Sequence, residues 1–254
     1  MKIKELLNTL GEVSAKNNLP TPYVCGGAAR DFYLGNLKNI NDLDVSNGSP
    51  TIKRLAFFMF QELNKSYNIL YKTHEKGNSS IYIGKFKLDF SSHYLAPNID
   101  QLLIAKGINK PTNLEQEMYS RDFHCNSLLL SLDFKNLIDI TKQGIKDLDN
   151  KIINTCLDPL VTFTGSSNRV VRAIYMATKL GSELSPEIIK CIQANPALML
   201  ESSEKSVKEK LQMSVAFYKI KTIKLLDQMN LWKYIPTDIP ELAEEAKKRL
   251  ILVT

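Results

Sequence analysis

Hydrophobic spacing changes character part-way along the chain, and this restricts the fold more than any other feature. Up to about residue 112, short strand-like segments are interleaved with helical ones; beyond it the spacing is helical. This predicts an α+β head followed by an all-helical second half. Ile3, Leu6, Leu7, Leu10 and Val13 recur at helical spacing, and Pro20 and Pro22 end that helix. Tyr23-Val24-Cys25 reads as a short buried strand running into Gly26-Gly27, and the helix that follows is closed by Gly35. Asn36 to Asn41 is a polar loop. Asp42-Leu43-Asp44-Val45 alternates polar and apolar residues, as a strand does. Ile52, Leu55, Ala56, Met59 and Leu63 mark one helix face, and two strands form a hairpin around Gly84-Lys85. Pro159 breaks the chain. Helices are predicted over about 167–180, from Ser185-Pro186, over about 203–230 and after Pro240.

Bulk properties narrow the function classes only a little. With 254 residues, of which 44% are hydrophobic, the chain can bury a substantial core. Its net charge of +6 is compatible with a polyanionic partner. No apolar run, such as 55–60, is long enough to span a bilayer, and Lys2, Lys4, Glu5 and Glu12 interrupt any secretory pattern. The four cysteines are scattered singly, without a CxxC pair, which fits a reducing cytoplasm.

Chemistry enters with the carboxylates. Residues i and i+2 of a strand share a side, so Asp42 and Asp44 project together while Leu43 and Val45 face the core. Parallel carboxylates repel unless a cation lies between them, and Mg²⁺ takes one or two carboxylates together with substrate phosphates. Gly26-Gly27, between a strand and a helix, lets a polyphosphate approach backbone N–H groups, with Arg30 in the first turns. Phe86, Leu88 and Phe90 share a face, so Asp89 points the other way with Lys85 and Lys87. If that strand neighbours the Asp42 strand, Asp89 reaches the same ions; otherwise it is a solvated residue. A solvent-facing strand end and a tight turn with a surface arginine explain either feature taken alone. A lysine capping the two aspartates with no room for an ion would count against the metal reading.

Four ordered segments resemble the class II tRNA nucleotidyltransferase and bacterial poly(A) polymerase family. GGAARDFYLG followed by DLD, residues 26–44, resembles GGxVRDxLLG…DxD. LEQEMYSRDFHCNSLLL, residues 114–130, is similar to a segment ending RRDFTiNAl, with Ser120 at the first arginine. LIDITKQGIKDLDNKIINT, residues 137–155, and FTGSSNRVVRAIYMATKLG, residues 163–181, complete the set. The resemblance spans roughly residues 20–235. It implies a small mixed-sheet nucleotidyltransferase head of the DNA polymerase β type over 1–155, then a helical neck and body with a shortened tail over 156–254.

The resemblance also implies roles. Asp42 and Asp44 would be catalytic and hold Mg²⁺, with Asp89 as a third carboxylate. Gly26, Gly27 and Arg30 would contact the triphosphate, Arg121 and Asp122 the ribose, and Asn126 would support that pocket. Arg172, one turn beyond Arg169, would face the phosphates. The family reads the base with a Glu-Asp pair and an arginine; here the pair is Gly165-Ser166 and only Arg169 remains. A hydroxyl at Ser166 still accepts a hydrogen bond but without charge assistance. Ser166 and Ser167 equally suit a helix start, and Asn168 could offer an amide. The implied activity is template-independent addition of CMP and AMP, from CTP and ATP, to an RNA 3′ end, above all tRNA. A poly(A)-type or single-nucleotide enzyme, and a catalytically silent RNA-binding relative, stay open. The lysines between 205 and 224 read as an RNA-backbone contact or an ordinary solvated face. His74, His93 and His124 form no assignable set, and Trp232 reads as helix packing.

Overall fold

Leu43 and Val45 are fully buried while Asp42 is exposed and Asp44 half-buried, as the alternation in strand β2 requires. The computed structural model describes residues 2–36, 41–74, 78–91 and 95–251; the loop at 37–40 and His93 lie outside them. The chain falls into two units, 1–145 and 146–254, where the sequence suggests a division at 155.

In the first unit the chain order is α1 (Ile3–Lys16), β1 (Tyr23–Cys25), α2 (Gly27–Tyr33), β2 (Asp42–Ser46), α3 (Ile52–Leu63), β3 (Ile69–Thr73), β4 (Ser79–Ile83) and β5 (Phe86–Phe90). Then come α4 (Ile99–Ala105), α5 (Asn113–Tyr119), β6 (Leu128–Leu130) and β7 (Leu137–Asp139). The strands form one seven-stranded sheet in the order β3-β4-β5-β2-β1-β6-β7. Neighbours are antiparallel except β2 and β5, which run parallel. The sheet is therefore mixed, with β2 near its centre. Leu43, Val45, Leu88 and Phe90 alternate with the polar positions of β2 and β5 and are fully buried. Burying each such side chain stabilises the fold by about 1.5–3 kcal/mol. α3 covers this region through Ile52, Leu55, Ala56 and Met59, and α1 packs on α3 through Leu6, Leu7 and Leu10.

The helical spacing after residue 112 does not continue unbroken: β6 and β7 complete the sheet's far side. Leu128-Leu129-Leu130 is wholly apolar, and such a run has no period that separates a buried strand from a buried helix. β3 escapes prediction for the opposite reason. It is an edge strand with Leu70 exposed, so little burial patterns it.

The second unit begins within α6 (Gly144–Asp149). β8 (Ile152–Ile153), α7 (Pro159–Gly165), α8 (Asn168–Lys179), β9 (Glu183–Leu184), α9 (Pro186–Ala194), α10 (Glu204–Gln228) and α11 (Pro240–Ile251) follow. It is helical apart from the short parallel pair β8–β9. Pro159 opens a helix rather than breaking one, because Asp158 accepts hydrogen bonds from Leu160 N and Val161 N. Ser185 caps α9 in the same way. α10 is interrupted at Tyr218, whose φ of −162° and ψ of 90° are not helical. Trp232 is buried and donates to Asp227 Oδ1 at 2.7 Å, a packing role. No helix among the described residues is long and apolar enough to cross a membrane.

Candidate active site

Strand register lays out the site. Cys25 of β1 stands opposite Asp44, Asp44 opposite Asp89 of β5, and Asp89 opposite Ser80 of β4. Directly paired residues share a face, so these four side chains form a row across the sheet. Asp42 and Lys87, also paired, lie one step along on the same face. Since β5 is the neighbour of β2, Asp89 does join Asp42 and Asp44. The β1–β6 end of this face is covered by α5, whose Met118 packs with Cys25 and Leu129. The β2–β5–β4 end stays open as a cleft of about 370 Å³, lined by Asp44, His74, Ser80, Tyr82, Lys87 and Asp89 among others.

The closed flank fixes Asp44. Gly26 has a φ of +67°, and a Cβ there would come within 2.6 Å of Asp44 Oδ2 and 3.4 Å of Arg121 Nη1. Only a glycine lets the carboxylate rest against the start of α2. Arg121 Nη2 donates to Cys25 Sγ at 2.9 Å and to Glu117 Oε1 at 3.3 Å, and Ser46 Oγ donates to Glu117 Oε2 at 2.7 Å. Burial pushes the Asp44 carboxyl above its ordinary range; Arg121 pulls it back, and the charges of Asp42 and Asp89 push it up again. The Cys25 thiol is pushed up to about 12 by burial, against the pull of Arg121, so it stays protonated at neutral pH.

The open flank is arranged differently. Lys87 Nζ lies 3.7 Å from Asp42 Oδ1 and forms an ion pair with Asp89. Burial pulls this ammonium's pKa down, but the hydrogen bond to Asp89 and the charges of Asp89 and Asp42 outweigh it, so the net shift is upward. Ser80 Oγ donates to Asp89 Oδ1 at 2.5 Å, and His74 Nε2 is 2.7 Å from Ser80 Oγ. A lysine therefore does stand over two of the aspartates, yet it shares the space with an open cleft. Among the described residues no three His, Cys, Asp or Glu side chains converge as a ready-made metal cage.

Beside these lies a buried polar chain. Arg30 donates through Nε to Asp31 Oδ1 at 2.9 Å and through Nη1 to Asn126 Oδ1 at 2.7 Å. Asn126 Nδ2 donates to Asp122 Oδ1 at 3.0 Å, which also accepts from Phe123 N at 2.9 Å. Arg30 sits in α2 beyond Gly26-Gly27, but its guanidinium faces inward rather than toward solvent. Ser120, at the position of the family's first arginine, is buried and accepts from Ala96 N at 2.9 Å. Asp139 accepts from Ile145 N and Thr141 Oγ1, and a Cβ at Gly144 would meet His124 O at 2.7 Å. His124 is itself buried.

Ser166, Arg169 and Arg172 belong to the second unit. Ser166 is exposed just before α8, Arg169 Nη1 donates to Thr162 O at 3.2 Å, and Arg172 lies one turn further along α8. Sequence reasoning missed Ser80, His74, Glu117 and the charge role of Lys87. The available signal for Lys87 was its place two residues before Asp89, on the same strand face.

Residues 22–154 match the family described as the poly A polymerase head domain. The chain is similar to a tRNA nucleotidyltransferase of Schizosaccharomyces pombe, 31% identical over 202 residues, which cover 74% of this chain and 41% of that protein. It is also similar to an A-adding tRNA nucleotidyltransferase of Aquifex aeolicus, 28% identical over 179 residues, covering 67% of this chain and 20% of that one. In fold it resembles the Thermotoga maritima CCA-adding enzyme complexed with tRNA, with a TM-score of 0.70 at 20% identity, covering 91% of this chain and 51% of that one. The chain thus spans only 41% and 20% of the two curated relatives.

Proposed function

Because the chain belongs to the poly A polymerase head-domain family, we propose that it is a template-independent RNA nucleotidyltransferase acting on the 3′ end of tRNA with CTP and ATP. One observation carries this reading: Asp42, Asp44 and Asp89 lie on the same open face of adjacent strands, beside a glycine-lined helix start. The terminal ribose hydroxyl attacks the α-phosphate; the new P–O bond forms as the bond to the β-phosphate breaks, and pyrophosphate leaves.

In this scheme Asp42 and Asp44 hold Mg²⁺, with Asp89 as the third carboxylate. The chemistry of the donor set fits such an ion: Asp42, Asp44 and Asp89 share one face of adjacent strands, and a hard cation takes one or two such carboxylates together with substrate phosphates. When bound, the metal stabilises charge developing on the reacting phosphate and activates the attacking hydroxyl. Gly26 and Gly27 bring backbone N–H groups to the phosphates. Arg121 pulls the Asp44 carboxyl back toward its ordinary range against the effect of burial. Asp122 reads the ribose, and Asn126 holds it there. Arg30 supports the same pocket through Asn126, since its guanidinium is committed to Asn126 and Asp31. Ser166, Arg169 and Arg172 are carried as base and phosphate contacts on the strength of their motif positions. The four cysteines are free thiols, consistent with a cytoplasmic enzyme.

A second reading, a poly(A)-type or single-nucleotide-adding enzyme with altered base selectivity and a non-tRNA acceptor, is favoured by Gly165-Ser166 standing where the family has Glu-Asp. A good bidentate base contact discriminates by roughly 1–3 kcal/mol, so losing one partner of it relaxes or shifts the choice of base. The deciding experiment is incubation with tRNA lacking its 3′ end and each of the four triphosphates separately. Incorporation of CTP followed by ATP supports the leading reading, and ATP alone supports the second. No incorporation, together with triphosphate binding that is the same with and without Mg²⁺ and in Asp42→Asn, supports the silent relative.

A further inference from the structure

The carboxylate row has two counter-charges of different kinds. We propose that Lys87 is a tethered cation that holds the place of a divalent ion at Asp42 and Asp89 and yields it when nucleotide arrives. This rests on the reading of those aspartates as metal-binding groups.

Lys87 stands opposite Asp42 in the parallel register and two residues before Asp89 on the same strand face. Its ammonium is 3.7 Å from Asp42 Oδ1 and paired with Asp89 Oδ2. Asp89 Oδ1 accepts from Ser80, so both oxygens of this carboxylate are engaged. An oxygen that holds an ammonium cannot offer the same lone pair to a hard cation. Lys87 can leave: its side chain is 33% exposed, carries a flexible four-carbon stem and lines a cleft of about 370 Å³. Arg121 cannot. Its side chain is 18% exposed and donates to both Cys25 and Glu117, the latter 5% exposed.

The consequence is coupling. A divalent ion arriving alone must displace the ammonium and then suffers its repulsion. Arriving with a triphosphate, it brings anionic oxygens that accept the released ammonium. Metal and nucleotide therefore strengthen each other's binding through Lys87, and by linkage the effect is reciprocal.

The test is Mn²⁺ titration of the full chain followed by electron paramagnetic resonance, with and without a non-hydrolysable ATP analogue. Wild type is compared with Lys87→Met and Lys87→Gln, with melting curves to establish that each is folded. Lys87→Met is expected to bind Mn²⁺ alone about five-fold tighter, the scale of one partly exposed ion pair. The gain in Mn²⁺ affinity on adding the analogue should shrink by about the same factor. Adding Asp42→Asn to Lys87→Met should remove the tightened binding. Unchanged or weaker Mn²⁺ affinity in both Lys87 variants, with Asp42-dependent binding intact, overturns this proposal alone. Absence of Asp42-dependent Mn²⁺ binding in every protein overturns it together with the metal reading beneath it.

Discussion

The two flanks of the carboxylate row solve one electrostatic problem in opposite ways. On the β1 side, Asp44 meets a buried guanidinium that is itself held by Cys25 and Glu117, under the cover of α5. On the β5 side, Asp42 and Asp89 meet a half-exposed ammonium at the mouth of a cleft. A buried ion pair is costly to break from one end, whereas an exposed one is worth little. The closed flank therefore sets geometry, and the open flank leaves room for ligand exchange.

The sharpest way to break this contrast is at the open flank. Asp42→Asn should reduce nucleotide incorporation by about a thousand-fold, since losing a metal ligand removes several kcal/mol of transition-state stabilisation. Retention of activity in a single-turnover assay would remove the open flank from the chemistry. Next in size is Arg121→Met, which takes a guanidinium away from the buried Glu117. Chemical denaturation should show a loss of about 3–5 kcal/mol. A loss below 1 kcal/mol would mean that the closed flank is no more fixed than the open one. Gly26→Ala places a Cβ against Asp44 at a positive φ, and about 1–3 kcal/mol of stability should go with it. Ser80→Ala removes a single hydrogen bond from Asp89, worth about 1 kcal/mol, so kcat should fall roughly five-fold with the melting temperature little changed.

The smallest effect concerns Asp44 itself. Its folded pKa lies above the ordinary value of 3.8, so the stability tied to this group is fully present below that value and lost as pH rises through the folded one. In chelator at neutral pH, Asp44→Asn should melt above wild type. The difference should close as pH falls toward 3.8. A constant difference across that window would mean that burial of the charge is not its source.

What the sequence discloses follows the same division. Alternation at Asp42-Leu43-Asp44-Val45 exposes the open carboxylates directly, because a half-buried strand writes its two faces into its period. Asp89 needed one fact that no local pattern carries, the parallel pairing of β5 with β2. The closed flank was harder still. Cys25 looks like ordinary strand packing, and Glu117 sits in a helix with nothing to mark it as Arg121's partner. Arg30 was legible as a residue near the glycine pair but not as an inward-facing one, since its direction depends on Asn126, ninety-six residues away in the chain. The resembling segments located Asp139 and Gly144 without disclosing that they secure the start of α6.

The parallel seam between β2 and β5 has a kinetic side. Antiparallel neighbours can zip from a short turn, but these two strands meet only after α3, β3 and β4 have been threaded between them. Pairings so distant along the chain must overcome a larger loop-closure entropy and form slowly. A polypeptide still emerging from the ribosome, with its first two aspartates already outside, thus has no third to set beside them. Until β5 has formed, that face of the sheet holds only the two aspartates of β2.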